Sequence, residues 1–311
     1  MTVVPPRRIE PVDVRGLEAA QARAVDAALG DVDWRGIPDG VMRTEYAVPS
    51  GRLAGLVAGE PAAPRVVLVP GITGSKEDFI LMLPLLAVAG MRAETFDMAG
   101  QYESHRAGPE NLRPRRDSYD EALFVDDLKE VLTVGPVPVH LVGYSFAGSV
   151  VSALAARYPE AIASLTLISA PPVIGPVFHR IKIIGPLARA VSPRTAARLM
   201  MWGVRRNLNR APRHRIDFVR ERFALTRPDS VADAFELMMR TPDLDEKIAA
   251  IAAPKLVVAG AHDLWPEQLH RDYAARIGAD LLLTGGGHSP SEDSPTELAH
   301  AIVGRAGLGG R

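Results

Sequence analysis

The sequence contains no cysteine. That excludes disulfides, a thiolate nucleophile, cysteine-ligated zinc and iron–sulfur clusters, and it fits a reducing compartment. Net charge is nearly absent as well. With 36 basic and 37 acidic residues the balance is -1, so the chain as a whole is not a polycation built for nucleic acid. Long apolar runs are missing too. The longest, Ile80 to Met91, has about a dozen residues and includes Pro84, against the roughly 20 that a membrane span requires. The opening MTVVPPRRIEP has no apolar segment behind its charges, so we expect no secretory leader, no membrane span and a cytoplasmic protein. Lysine is scarce, occurring at Lys76, Lys129, Lys182, Lys247 and Lys255, which is a matter of codon usage and excludes no function. There is no internal repeat.

What is present is globular. The 311 residues are 47% hydrophobic and 23% charged, so wholesale disorder is excluded. A chain of this size buries roughly three quarters of its unfolded surface. Residues 13–29 have helical spacing, with Val14, Leu17, Ala20, Ala24 and Leu29 on one face. Two strand-like stretches, 42–48 and 52–58, flank Pro49-Ser50-Gly51 and predict a hairpin. From Arg65 onward, buried β-branched runs alternate with helical patterns. Strands are expected at 66–69, 93–96, 137–143, 164–169, 255–260 and 279–284. Helices are expected at 77–90, 118–133, 146–157, 266–277 and 294–304. Such alternation requires right-handed crossovers and a mostly parallel sheet, an α/β architecture with helices on both faces.

The stretch 172–252 breaks this rhythm and reads as helical throughout. We therefore divide the chain into an N-terminal helical arm (1–40), a core (41–171 and 253–311) and a helical lid (172–252). Between Phe178 and Arg227 the lid carries a formal charge of +11, with an apolar stripe of Ile181, Ile184, Leu187, Leu199, Met200, Met201 and Trp202. Runs of charge are usually solvated faces, so the arginines are expected to face water and the stripe to pack on the core. A basic face that attracts an anionic substrate or carrier is the sharper alternative.

Chemistry concentrates at VHLVGYSFAGSV, residues 139–150. A strand runs into Gly143-Tyr144-Ser145-Phe146-Ala147-Gly148 and a helix follows, the context of a nucleophile elbow. Small residues at 143 and 147 let strand and helix approach, and the helix N-terminus behind Ser145 favours developing negative charge. A serine nucleophile needs a base and an orienting acid. His288 follows a three-glycine loop after the last strand, and Asp263 follows the strand before it. The chain order Ser145, Asp263, His288 places each residue just past a strand's carboxyl end. The glycine-containing turn 69–75 after the first parallel strand is a candidate oxyanion hole, with the backbone N–H groups of Ile72 and Phe146 as donors. His140 reads as a satisfied core histidine and His262 as solvent-facing. His105, His179, His214, His270 and His300 have no metal-ligand spacing. Neither a metal nor a nucleotide cofactor is expected.

These motifs, LVPGITGSKEDF, DMAGQYES, VGYSFAG, GAHD and GGGHS, give the chain a resemblance to serine-dependent, lidded members of the α/β-hydrolase superfamily over about Tyr46–Arg305. The relevant group contains carboxylesterases, lactonases and carbon–carbon bond hydrolases. Three positions depart from the usual pattern: Tyr102 and Ala147 stand where glycine is common, and Pro70 where histidine often precedes the oxyanion glycine. The resemblance implies a sheet of about eight strands and a lid inserted after the sixth. It also implies acyl transfer through Ser145, His288 and Asp263. A serine at the nucleophile position argues against the carboxylate chemistry of epoxide hydrolases and haloalkane dehalogenases. The expected activity is cleavage of an ester, lactone or thioester with a hydrophobic portion, pocketed by Tyr144, Met201, Trp202 and Trp265. Alternatives on the same residues are a carbon–carbon bond hydrolase, a cofactor-free perhydrolase and a non-catalytic small-molecule binder. Activity is expected to rise with pH as the base loses its proton.

Overall fold

The structure, a computed structural model, describes residues 11–175 and 212–309, together with Thr195, Arg198, Met201, Trp202 and Arg206. Eight strands form one sheet: β1 (Val41–Val48), β2 (Gly51–Ala58), β3 (Arg65–Val69), β4 (Arg92–Phe96), β5 (Val139–Tyr144), β6 (Ile162–Ile168), β7 (Lys255–Gly260) and β8 (Asp280–Thr284). Their order is β1-β2-β4-β3-β5-β6-β7-β8. β2 runs antiparallel to both its neighbours, and every other pairing is parallel. β3, β5 and β7 are buried along their whole length, which is why their sequences are continuous apolar runs rather than alternating ones.

The side-chain alternation of a strand divides the core in two. Val67, Val69 and Leu141 point to one face, under α3 (Glu121–Thr133), α4 (Phe146–Arg157) and α8 (Glu267–Ile277). Val66, Leu68, Val142 and Tyr144 point to the other, under α2 (Met82–Val88) and α10 (Pro295–Arg305), which follows the short α9 (Pro290–Asp293). From β3 the chain moves first to β4 on one side and then to β5 on the other. The carboxyl ends of β3 and β5 therefore flank a topological switch point, where ligands of open α/β sheets bind.

Two expected helices are split. The helix expected at 77–90 is a 3-10 turn, Lys76–Phe79, followed by α2. Pro84 has no N–H to donate, so it must sit in the first turn of a helix, and α2 begins two residues before it. The helix expected at 13–29 is a 3-10 turn at Val14–Gly16 and then α1 (Ala19–Ala27), which starts at a capping box of Glu18 and Gln21. α1 is docked on the core. Its buried Asp26 accepts hydrogen bonds from the Thr296 and Glu297 N–H groups, both at 2.9 Å, and so caps α10.

Within the segment expected as a lid, the described helices are α5 (Arg213–Leu225), α6 (Pro228–Met238) and α7 (Asp245–Ala249). Its two stems meet at an antiparallel bridge between Gly175 and Thr241. Ile181, Ile184, Leu187, Leu199 and Met200 lie outside the described residues. One expectation is corrected on α5. Its arginines are not uniformly solvated: Arg215 and Arg222 are 8% and 5% exposed. Both guanidinium groups reach Asp78, at 3.1 and 2.7 Å, and Arg215 also pairs with Glu292. Charge that would be costly to bury alone is buried here as a network. Among the described residues, no helix is long and apolar enough to cross a membrane.

A second buried carboxylate fastens the β1–β2 hairpin. Asp127 on α3 accepts from the N–H of Ser50 at 3.0 Å and from its hydroxyl. Burial raises its carboxyl from 3.8 to about 7. A pKa raised in the folded state means stability that is complete below the unfolded value and lost as pH climbs through the folded one. Asp127→Asn is therefore expected to raise the melting temperature by about 2–5 °C at pH 8.5 and to give no gain at pH 5. Thermal scans at the two pH values check this, and equal shifts at both would refute it.

Candidate active site

β5 ends at Tyr144 and α4 begins at Phe146, so the whole reversal falls on Ser145. Its φ is +51°, a conformation strained for any side chain. The turn closes this tightly because its neighbours are small. A Cβ on Gly143 would stand 2.5 Å from Val151 Cγ2 and 2.7 Å from the Ala147 carbonyl oxygen. One on Gly148 would meet Ala170 Cβ at 2.4 Å. Ala147 is fully buried at the position where glycine is common, so its methyl is accommodated.

The Ser145 hydroxyl lies 3.1 Å from His288 Nε2, and His288 Nδ1 lies 2.8 Å from Asp263 Oδ1. The three residues singled out in the sequence are thus one hydrogen-bonded chain across the carboxyl ends of β5, β7 and β8. Burial alone would raise the Asp263 carboxyl. The hydrogen bond and charge of His288, with a hydrogen bond from Ser169 and the charge of His270, together outweigh burial and hold it below the ordinary carboxylate range. The His288 loop is packed directly on the end of β7. A Cβ on Gly260 would stand 2.0 Å from the Gly287 carbonyl oxygen and 2.5 Å from that of Gly286. Gly260→Ala must therefore move the backbone that carries His288. A displacement of about 1 Å is expected to lower kcat/KM by roughly 100-fold. Steady-state kinetics on the folded variant test this, and a loss under threefold would contradict it.

The turn after β3 passes against Ser145: a Cβ on Gly71 would stand 3.1 Å from Ser145 Cβ. Ile72 follows it, half-buried on the core. Phe146, fully buried, opens α4 directly after Ser145. The two backbone N–H groups named from the sequence thus belong to adjoining segments beside one hydroxyl. Farther along the same loop, Ser75 and Asp78 form a capping box, and Asp78 receives Arg215 and Arg222 from α5.

The four residues expected to line a pocket are placed differently from one another. Tyr144 and Trp265 are 8% and 1% exposed, and their rings pack against the His288 ring at 5.6 and 5.7 Å. The Tyr144 hydroxyl also pairs with Ser289 Oγ at 2.8 Å. Met201 is half-buried against Ile216, Val219 and Phe223, whereas Trp202 is 53% exposed. A shallow surface groove runs beside α4, away from Ser145, bordered by Ser149, Ala170, Val173, Ile174, Asp245 and Arg276. Tyr102, where glycine is common, has φ +39°. It is held there by an edge contact with Phe218 at 5.8 Å and by the Lys76 ammonium 4.8 Å above its ring.

His140 is buried and bonded to Ser164 Oγ at 2.9 Å, and His262 is exposed, as expected for both. One neighbour of the site was missed. His270, on α8, is fully buried with Nε2 3.5 Å from Asp263 Oδ2. It was passed over because only metal-ligand spacing was sought. The usable signal was its position, in the first turn of the helix that follows Asp263 and Pro266.

A family model for the alpha/beta hydrolase fold matches residues 64–290, more than half of the chain. The chain belongs to the α/β-hydrolase fold family. Solved structures of this fold superpose over most of its length. A thermophilic esterase from Thermogutta terrifontis is 21% identical with a TM-score of 0.65, over 86% of this chain and 100% of the other. An enol-lactonase from Burkholderia xenovorans is 22% identical with a TM-score of 0.62, over 85% and 100%. A haloalkane dehalogenase from Bradyrhizobium elkanii is 19% identical with a TM-score of 0.67, over 86% and 97%. At these identities the likeness establishes the α/β-hydrolase fold and no particular reaction. No curated protein matches the sequence.

Proposed function

We propose that the protein is a serine hydrolase that cleaves a carboxylic ester-like bond through an acyl-enzyme. The observation that carries this reading is the hydrogen-bonded chain from Ser145 Oγ to His288 Nε2 at 3.1 Å and from His288 Nδ1 to Asp263 at 2.8 Å, with Ser145 on a turn of φ +51°. Ser145 Oγ attacks the carbonyl carbon as its proton passes to His288 Nε2. Asp263 holds the imidazole with Nδ1–H toward the carboxylate and stabilises the imidazolium. The Ile72 and Phe146 N–H groups receive the oxyanion at the positive end of α4. The imidazolium returns its proton to the leaving alcohol. Water, deprotonated by the same nitrogen, then releases the acid and restores Ser145.

A serine rather than a carboxylate at the elbow favours acyl transfer over the alkyl transfer of a dehalogenase. Rapid mixing with p-nitrophenyl esters of increasing chain length tests the proposal. An initial burst approaching one p-nitrophenol per protein, followed by slower turnover, is expected. Absence of both burst and turnover, for every ester and for a set of lactones, would refute it and leave a binding protein on this fold.

A further inference from the structure

Asp263 faces two imidazoles. On Oδ1 it holds His288 at 2.8 Å, and on Oδ2 the Nε2 of His270 stands at 3.5 Å. His270 and Asp263 are 0% and 2% exposed, so neither is bathed by solvent that could replace the other. The indole of Trp265, itself 1% exposed, packs against both imidazoles, with ring centroids 5.7 Å from His288 and 6.2 Å from His270. The backbone N–H of Leu264 also donates to Oδ1, so that oxygen already carries two donors while His270 approaches the other. α8 packs on α7, β7 and β8. Asp263 and Trp265 of the turn after β7 face His270, and Ser169 also hydrogen-bonds the Asp263 carboxylate. At the α7–α8 contact Arg276 pairs with Asp245 at 2.6 Å and donates to the Pro172 carbonyl at 3.0 Å.

We propose that His270 is a positioning residue that acts on His288 through Asp263. This rests on reading Ser145, His288 and Asp263 as the catalytic chain. His270 keeps Nε2–H directed at Oδ2, fixes the carboxylate plane and favours the ionised form of Asp263. The rigid carboxylate in turn fixes the tautomer and the tilt of His288. A protonated or freely rotating Asp263 would leave His288 with Nε2–H toward Ser145, unable to accept its proton. The contact is long for a hydrogen bond, so its effect is electrostatic and steric and falls on kcat rather than on substrate binding. Trp265 blocks the rotation of both rings.

The test compares His270→Leu with His270→Gln, whose side-chain amide retains a donor toward Oδ2. His270→Leu is expected to lower kcat on a p-nitrophenyl ester by about 10–100-fold with KM changed less than threefold. The acid limb of its kcat/KM profile, set by His288, moves to higher pH, because a carboxylate with one donor fewer stabilises the His288 imidazolium more. His270→Gln recovers most of the rate. Unchanged kcat and unchanged acid limb in a folded His270→Leu would overturn the proposal. Equal losses in both variants would also overturn it, since the role would then be packing. Nitrogen-15 NMR of histidine-labelled wild-type protein supplies a readout that needs no variant. A proton on Nε2 of His270 is expected, and a neutral Nδ1–H tautomer would overturn the assignment. If a fluorophosphonate fails to label wild-type Ser145, the catalytic reading has failed, and the tautomer alone decides whether His270 donates to Asp263.

Discussion

Replacing Ser145 by alanine is expected to lower ester turnover by roughly 10⁵–10⁶-fold while leaving the protein folded. Only a hydroxyl is removed, and the backbone at φ +51° is equally strained for either residue. The melting temperature is therefore expected to stay within about 2 °C of wild type. His288→Ala should cost about as much, and the double variant little more than either single one. The proton acceptor is useless without the hydroxyl it deprotonates, and members of one chain act as a unit. Residual activity within tenfold of wild type in Ser145→Ala would remove Ser145 from the reaction. A further large loss in the double variant would mean that His288 acts on something other than Ser145.

The second large effect is on stability, at Asp78. This carboxylate is 2% exposed and is shared by two buried guanidinium groups, Arg215 at 3.1 Å and Arg222 at 2.7 Å. Asp78→Ala leaves Arg222 buried without its carboxylate and Arg215 with Glu292 alone. Removing one partner of a buried charge network costs about 3–5 kcal/mol, far more than an exposed pair contributes. With an unfolding entropy of about 2.1 cal/mol/K per residue, that corresponds to a melting temperature lower by about 5–8 °C. Differential scanning calorimetry checks the shift. A change below 1 °C would mean that the network is neutral. The same variant leaves α5 tied to the loop that carries Gly71 and Ile72 through Arg222 and Ser75 Oγ at 3.3 Å, a weaker link, so activity should fall more than occupancy of the folded state alone accounts for.

All eight strands were legible in the sequence, with ends within about two residues: the central parallel ones because burial on both faces writes itself as apolar runs such as Val66–Val69, and β1 and β2 because Pro49-Ser50-Gly51 marks a hairpin turn. The site was legible for a different reason. Each candidate side chain follows directly on a strand end, so a correct strand map already places Ser145, Asp263 and His288 along one edge. What escaped was the part of the structure that depends on contacts between distant segments. The spacing of Arg215 and Arg222 on α5 is that of a solvated helix face. Only Asp78 and Glu292, more than 60 residues away on either side, make burial tolerable. His270 escaped likewise, because its partner lies across a proline turn rather than at a helical interval. Tyr144 and Trp265, expected to line a pocket, also pack against the His288 ring, a contact between separate segments that sequence spacing does not show.

The most direct measurement is intact-protein mass spectrometry after brief exposure to a fluorophosphonate, followed by peptide mapping. The account predicts one adduct per chain, located on Ser145. It also predicts labelling that slows as pH falls and His288 becomes protonated, and that is abolished in Ser145→Ala and nearly abolished in His288→Ala. An unlabelled wild-type protein, or an adduct on any other residue, would contradict it.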